Sequence, residues 1–154
     1  MMTIFSFRRL NEGVRAALVE HFLALPMKDR SLRFGVALAP SVIAAYANAI
    51  DFDRDAVFGA HDHRLVLVGV AHVALEDNRA ELALSVLPEH RCLGVGSALF
   101  KHAVAHARIR RIPRIFMQCL WGNAPIMRIA RKFGMRIVAG DGNAEAHLQL
   151  QPTP

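Results

Sequence analysis

The chain has 154 residues, of which 53% are apolar and 21% are charged, and its formal net charge is +6. This length fits one domain, and the longest nearly apolar stretch (36–50) is broken by Pro40 and Asn48 and is shorter than the roughly 20 residues that span a membrane. The N-terminus lacks a secretory signal pattern and the two cysteines, Cys92 and Cys119, lack metal-type spacing, so we expect a cytoplasmic protein with free thiols.

The first third of the chain predicts a strand followed by two helices. Residues 3–8 alternate apolar and polar side chains, as a strand does, and Asn11 can cap a helix that Pro26 ends. Pro40 begins a second helix, whose predicted apolar face is Val42, Tyr46 and Ile50. Tyr46, the only tyrosine, is therefore expected in the core.

The rest of the chain predicts a hairpin and then alternating helices and strands. The strand candidates are 64–75 and 80–87, joined by a polar turn, then 114–119, and finally the short pair 135–138 and 144–149. The helix candidates are 94–109 and 124–133, and Gly134 closes the second of these. This order predicts an α/β fold with a mixed sheet.

A glycine-bearing loop joins a strand to a helix at residues 88–96. Gly94 and Gly96 lie where the helix begins. The first turn of a helix has unpaired N–H groups and a partial positive charge, and glycines let a phosphate oxygen approach the backbone. The segment therefore predicts an anion site, with a spacing that is neither the dinucleotide fingerprint nor a P-loop.

This loop carries a family resemblance. Arg91-x-x-Gly94-x-Gly96, preceded by Val86-x-Pro88, resembles the pyrophosphate loop of the GNAT N-acetyltransferase superfamily, and Asn123 with the helix after it resembles that family's Asn-centred motif. The resemblance implies a single acyltransferase domain over residues 1–154, with a mostly antiparallel sheet of about six to seven strands and about four helices. It also implies acetyl-CoA as co-substrate, an amine as acceptor, and the dimers common among family members.

The resemblance also implies how the cofactor is held. The pyrophosphate would bind the loop and the helix start, and pantetheine would lie along a strand splayed from its parallel neighbour. An unpaired amide of Val86 or Leu87 would then polarise the thioester carbonyl. Asn123 would contact the cofactor arm, or else only cap its helix. The implied cofactor-binding residues are Leu84, Val86, Arg91, Cys92, Leu93, Gly94, Val95, Gly96, Ser97 and Asn123.

Acetylation of an amine requires a base, because an amine with a pKa near ~10.4 is mostly protonated at neutral pH. Glu81 begins the strand that leads to the loop, where several GNAT enzymes place a catalytic glutamate, and alternation puts it on one face with Ala83 and Ser85. The alternative is an exposed carboxylate paired with Arg79 or Arg64. Glu89 and His90 are weaker candidates for the base.

One position departs from the family pattern. Seven residues beyond Asn123, where many members carry a tyrosine that protonates the leaving thiolate, this chain has Ala130. Residues 123–134 and shorter N-terminal segments resemble bacterial Pat-type protein-lysine acetyltransferases, in which that position is often small. A protein lysine is therefore the favoured acceptor, a small-molecule amine is the runner-up, and a non-catalytic acyl-CoA-binding module is the competing class.

Several other constellations are interpreted as structural. His61, Asp62 and His63, with His72 nearby, lack a third well-placed metal ligand and read as a turn. Cys92 is expected to pack as a small apolar side chain. Trp121 is expected to be a partly buried core residue rather than part of an acceptor tunnel. The basic cluster has no interleaved aromatic residues, so nucleic-acid binding is not expected; its members are Arg108, Arg110, Arg111 and Arg114.

Overall fold

A seven-stranded mixed sheet forms the centre of the structure, a computed structural model that describes residues 4–140 and 143–150. The strands are β1 (Ser6–Arg9), β2 (Ala56–His61), β3 (Leu67–Glu76), β4 (Arg79–Val86), β5 (Arg114–Leu120), β6 (Arg136–Ala139) and β7 (Asn143–Gln149). The helices are α1 (Arg15–Ala24), α2 (Met27–Phe34), α3 (Pro40–Ala49), α4 (Val95–Ile109) and α5 (Ala124–Lys132).

The strand order is β1-β2-β3-β4-β5-β7-β6, and every neighbouring pair is antiparallel except β4 and β5. The two central strands that run parallel are joined by α4, which crosses one face of the sheet. The predicted mixed α/β fold, mostly antiparallel, is therefore confirmed.

Helices cover both faces of the sheet. On one face α1 and α3 pack together, and His21 of α1 and Tyr46 of α3 reach side chains of β4 and β3. On the other face α4 lies so close to β3 that a Cβ on Gly69 would come within 2.8 Å of a Val95 methyl group. α5 packs beside α4, where Phe133 stacks on Phe100 with ring centroids 4.3 Å apart.

Two elements of the structure were not predicted from the sequence, α2 and β2. α2 is short and mostly polar, so it lacks an apolar stripe, although Pro26 before it and Gly35 after it, with φ +86°, are helix boundary residues. β2 has no alternation, because five of its six residues are buried. The predicted strand 3–8 forms at Ser6–Arg9, and Thr3 lies outside the described residues.

The predicted apolar face of α3 was wrong at Val42 and correct at Ile50, the buried residue that follows the helix. The buried residues of this helix are Ile43 and Ala47, whereas the side chain of Val42 is 48% exposed. Tyr46 is partly buried: its ring packs on Phe22 and Phe34 against the core, as expected, while its hydroxyl contacts Arg33 and His72.

Candidate functional site

β4 and β5 pair only at their beginnings, and this leaves a gap in the middle of the sheet. Their parallel register runs over three residue pairs, from Arg79↔Arg114 to Glu81↔Phe116. β4 continues to Val86 along β3, so its second half has β3 on one side and an opening on the β5 side. The splayed strand that the family resemblance implies is therefore present.

The ladder to β3 determines which β4 amides face this gap. Leu87 donates its N–H to the Val68 carbonyl at 2.9 Å, so it belongs to a hydrogen-bonded pair with β3. In an antiparallel ladder such pairs alternate with pairs whose backbone groups point away. The amides of Val86 and Leu84 consequently face the gap, whereas that of Leu87 does not. Of the two predicted oxyanion donors, only Val86 is available.

The loop after β4 forms one wall of a cavity of about 230 Å³, called the loop cavity here. α4 begins at Val95 with Gly94 before it in a left-handed conformation, φ +84°, and Cys92 is also left-handed at +62°. Loops of this kind gather backbone N–H groups into anion-binding concavities, and the first turn of a 15-residue helix adds its own unpaired amides.

Nine of the ten predicted cofactor-binding residues line the loop cavity: Leu84, Val86, Arg91, Cys92, Gly94, Val95, Gly96, Ser97 and Asn123. The exception is Leu93, whose side chain is 51% exposed and lines no described cavity. Only its backbone is in a position to contribute.

α2, which the sequence analysis missed, forms the opposite wall of this cavity. Asp29 of α2 pairs with Arg91 of the loop at 3.1 Å, and Leu32 and Arg33 also line the cavity. The ion pair therefore fixes α2 to the loop at the cavity mouth.

A second cavity of about 480 Å³, the sheet cavity, lies beside the first on the α3 side. The two share lining residues in the gap: Leu32, Arg33, Leu84, Asn123 and Ile126. A molecule in the loop cavity can therefore meet one in the sheet cavity at the splayed half of β4.

Glu81 lines the sheet cavity as a half-buried carboxylate. Within residues 4–140 and 143–150 it has no hydrogen-bond or ion-pair partner, and Arg79 pairs with Glu76 instead at 3.6 Å. The expected alternative, a pair with Arg79 or Arg64, was wrong. Burial raises the pKa of Glu81, the negative charges of Glu76 and Glu145 add to this effect, and the positive charges of Arg33 and Arg79 oppose it.

A hydrogen-bonded chain of four side chains, called the Tyr46 network here, borders the same cavity. Arg33 donates to the Tyr46 hydroxyl at 2.8 Å, that hydroxyl lies 2.5 Å from Nδ1 of His72, and Nε2 of His72 lies 2.9 Å from the Asp55 carboxylate. Burial lowers the pKa of His72, and the Asp55 carboxylate opposes this shift only in part. The network was not predicted from the sequence, because its members are far apart in the chain.

A second buried histidine holds the end of β4. His21 Nδ1 lies 2.9 Å from the Leu67 carbonyl, and its Nε2 lies 2.8 Å from the Ser85 hydroxyl. A carbonyl only accepts, so Nδ1 carries the proton and Nε2 accepts from Ser85. Burial lowers the pKa of His21 to about 4, so the imidazole is neutral at pH 7 and fixes the Ser85 rotamer.

Asn123 lies where the two cavities meet. Its side-chain oxygen accepts from the Ile126 amide at 3.4 Å and caps α5, while the side chain lines both cavities. The two interpretations offered for Asn123 are thus compatible, since capping engages only the oxygen. Ala130 is fully buried and lines neither cavity.

Two packing predictions were wrong. Cys92 is exposed on the loop instead of packed, and the Trp121 side chain is 57% exposed instead of forming part of the core. Both residues lie in or beside turns with positive φ, at Cys92 itself and at Gly122, where the chain is at the protein surface. Across residues 4–140 and 143–150, no three His, Cys, Asp or Glu side chains group as a metal site would require. No helix in that part of the chain has the length and apolar character to cross a membrane.

Residues 18–135 match the model of the family described as Acetyltransferase (GNAT) family. No curated protein sequence matches the chain significantly. The family match spans the gap, the loop and all residues that line the two cavities except Asn143.

Solved structures share the fold at low identity. The GNAT domain of S. lividans PAT superposes with a TM-score of 0.80 and 20% identity, covering 94% of this chain and 89% of that one. Salmonella typhimurium yncA, solved with acetyl-CoA, gives 0.73 and 17%, covering 98% and 96%. The PaiA N-acetyltransferase of Thermoplasma acidophilum, solved with coenzyme A, gives 0.73 and 15%, covering 95% and 99%.

Proposed function

Because the chain belongs to the GNAT acetyltransferase family, we propose that it transfers an acetyl group from acetyl-CoA to an amine in one direct step. The observation that carries the proposal is the splayed β4, which joins an anion-binding loop cavity to a second cavity containing an unpaired carboxylate.

In this proposal the loop cavity holds acetyl-CoA. The pyrophosphate binds the amides between Arg91 and Gly96 and the N-terminus of α4, where the helix dipole favours negative charge. The pantetheine arm enters the gap beside Leu84 and Val86, whose backbone groups have no strand partner there. An extended arm with amide groups can hydrogen-bond to those positions as a strand would.

The Val86 amide acts on the thioester carbonyl. It faces the gap, and a fixed N–H donor stabilises the negative charge that develops on the carbonyl oxygen during attack. The amine nitrogen forms the new C–N bond, the C–S bond breaks, and coenzyme A leaves as a thiolate. A thiolate with a pKa near ~8.5 leaves readily, so the missing tyrosine at Ala130 does not prevent the reaction.

Glu81 is the proposed base. It lines the sheet cavity, from which the amine approaches, and no partner neutralises it. Because burial raises its pKa, the Glu81 carboxylate is a stronger proton acceptor than that of an ordinary glutamate. Glu89 and His90 are less suitable, since they lie on the loop outside the sheet cavity.

A protein lysine is the favoured acceptor. The resemblance of residues 123–134 to Pat-type protein-lysine acetyltransferases supports this choice. The Glu81 carboxylate itself favours a cationic acceptor, and the charges of Glu76 and Glu145 around it are opposed by those of Arg33 and Arg79. A small cationic amine fits the same charge, so the two acceptor classes have to be separated by experiment.

Thiol release from acetyl-CoA tests the proposal, with the protein and small-molecule fractions of a cell extract as separate acceptors. We expect release that depends on the protein fraction, together with thermal stabilisation of the enzyme by acetyl-CoA. Release with the small-molecule fraction alone would name a small amine instead. Stabilisation without release from either fraction would contradict the enzyme proposal and favour a non-catalytic acyl-CoA-binding module.

A further inference from the structure

The Tyr46 network borders the sheet cavity, but the proposed acetyl transfer by Glu81 and the Val86 amide does not involve it. Tyr46 and His72 both line that cavity beside Glu81. His72 pairs with Ala83 across β3 and β4, and Glu81 pairs with Ala74, so His72 and Glu81 are diagonal neighbours on one face with Cα atoms about 7–8 Å apart. The network therefore lies next to the amine that Glu81 is proposed to deprotonate.

The hydrogen bonds fix where the protons are. The Asp55 carboxylate is an acceptor, so Nε2 of His72 carries a proton and donates it. In the neutral imidazole Nδ1 is then an acceptor, and the Tyr46 hydroxyl donates to it. Arg33 is always a donor, so the phenolic oxygen accepts from Arg33.

This arrangement provides a path along which a proton can move from Tyr46 to His72. After the shift, phenolate lies beside the Arg33 cation and imidazolium lies beside the Asp55 carboxylate, so opposite charges alternate along the chain. Asp55 is held as a carboxylate beside His72, because the side chain of Arg54 and the backbone amide of Leu75 also donate hydrogen bonds to it. Its burial opposes ionisation, but hydrogen bonds from Arg54, His72 and Leu75 outweigh the burial, and the pKa of Asp55 is lowered.

We propose that Tyr46 is a second proton acceptor for the attacking amine, with His72 and Asp55 as the groups that receive and balance the proton. This inference rests on the proposed function. An ammonium that becomes an amide loses two protons. Glu81 takes one, and the other passes from nitrogen to the Tyr46 oxygen as the phenolic proton moves to His72 Nδ1. The imidazolium then returns its proton through Tyr46 to water or to the departing thiolate, which restores the starting state.

Kinetics of two variants test the relay. Tyr46→Phe removes only the hydroxyl, and His72→Gln keeps a neutral donor and acceptor but cannot carry the proton. With acetyl-CoA and a lysine-containing peptide, we expect kcat to fall by about 10²-fold in each, with unchanged acetyl-CoA affinity. His106→Gln, the same substitution on α4, should leave kcat unchanged. When kcat is measured in mixtures of H2O and D2O, the native enzyme should show more than one proton in transfer, and Tyr46→Phe should show only one.

Two results would overturn the proposed proton transfer through Tyr46 and His72. One is a kcat within two-fold of native in both variants; the other is an unchanged number of transferred protons despite a lower kcat, which would indicate a structural role.

A spectroscopic measurement stays informative if no amine is acetylated and the proposed function itself fails. Because Tyr46 is the only tyrosine, the near-ultraviolet absorbance of tyrosinate during a pH titration reports on this one side chain. The titration curve should differ between native protein and His72→Gln, and superimposable curves would refute proton sharing between the two residues.

Discussion

The substitution Glu81→Gln tests the central chemical step most directly. It removes the carboxylate charge and retains the size of a side chain that has no ion-pair partner within residues 4–140 and 143–150. An amine with a pKa near ~10.4 is neutral in only about one molecule per 10³ at pH 7, which corresponds to about 4–5 kcal/mol. If Glu81 alone supplies the missing deprotonation, kcat/KM should fall by up to about 10³-fold at pH 7, within the about 10²–10⁴-fold typical of general bases.

The pH dependence makes this expectation specific. Each unit of rising pH generates about ten times more neutral amine in solution, so the deficit of Glu81→Gln should shrink about ten-fold per unit until the amine titrates. The assay is initial-rate thiol release with the identified acceptor between pH 7 and about 9.5. A deficit that stays constant over this range would refute the deprotonation role, even if activity were low throughout.

Stability provides the matching control. Because the fold raises the pKa of Glu81, the ionised form is disfavoured in the folded state, and stability is lost as the pH rises through that pKa. Glutamine removes this penalty, so near neutral pH the variant should unfold at the native Tm or above it. Loss of activity together with a lower Tm would point to structural damage rather than to a missing base.

Three further predictions concern the field around Glu81 and the packing of the loop. Glu76→Gln removes a charge that raises the pKa of Glu81, so the acidic limb of the kcat/KM pH profile should move to lower pH. Arg79→Gln removes a charge that lowers this pKa, so the same limb should move to higher pH. Shifts of both variants in the same direction would contradict the electrostatic reasoning. Gly94→Ala and Gly134→Ala each place an alanine in a left-handed conformation, at φ +84° and +69°. Each should lower the free energy of unfolding by about 1–2 kcal/mol, measured by denaturant titration. Only Gly94→Ala should also weaken acetyl-CoA binding, measured by calorimetry. Gly69→Ala places a Cβ 2.8 Å from a Val95 methyl group at the start of α4. It should lower the free energy of unfolding by about 1–3 kcal/mol and weaken acetyl-CoA binding. An unchanged Tm would show that α4 can shift without cost.

Local patterns were enough to predict the loop, its neighbouring strand and the order of most elements. Gly94 and Gly96 at a helix start, and the alternation that places Glu81 with Ser85, are encoded within a few residues of one another, so they can be read along the chain. The same applies to Gly134, which ends α5 with φ +69° as predicted. β2 and α2 were not predicted. A strand buried on both faces shows no alternation of apolar and polar residues, and a short polar helix has no apolar stripe.

The sequence by itself determined the order of most elements and the strand–loop–helix segment that is proposed to bind an anion, because these depend on local backbone preferences. Only the tertiary structure decided which amide faces the gap, since the Leu87 hydrogen bond to Val68 is set by the β3 register. It likewise brought Asp55, His72 and Tyr46 together from three separate elements around one cavity. Contacts between residues far apart in sequence depend on how strands pair and helices pack, and no local pattern in the chain records them.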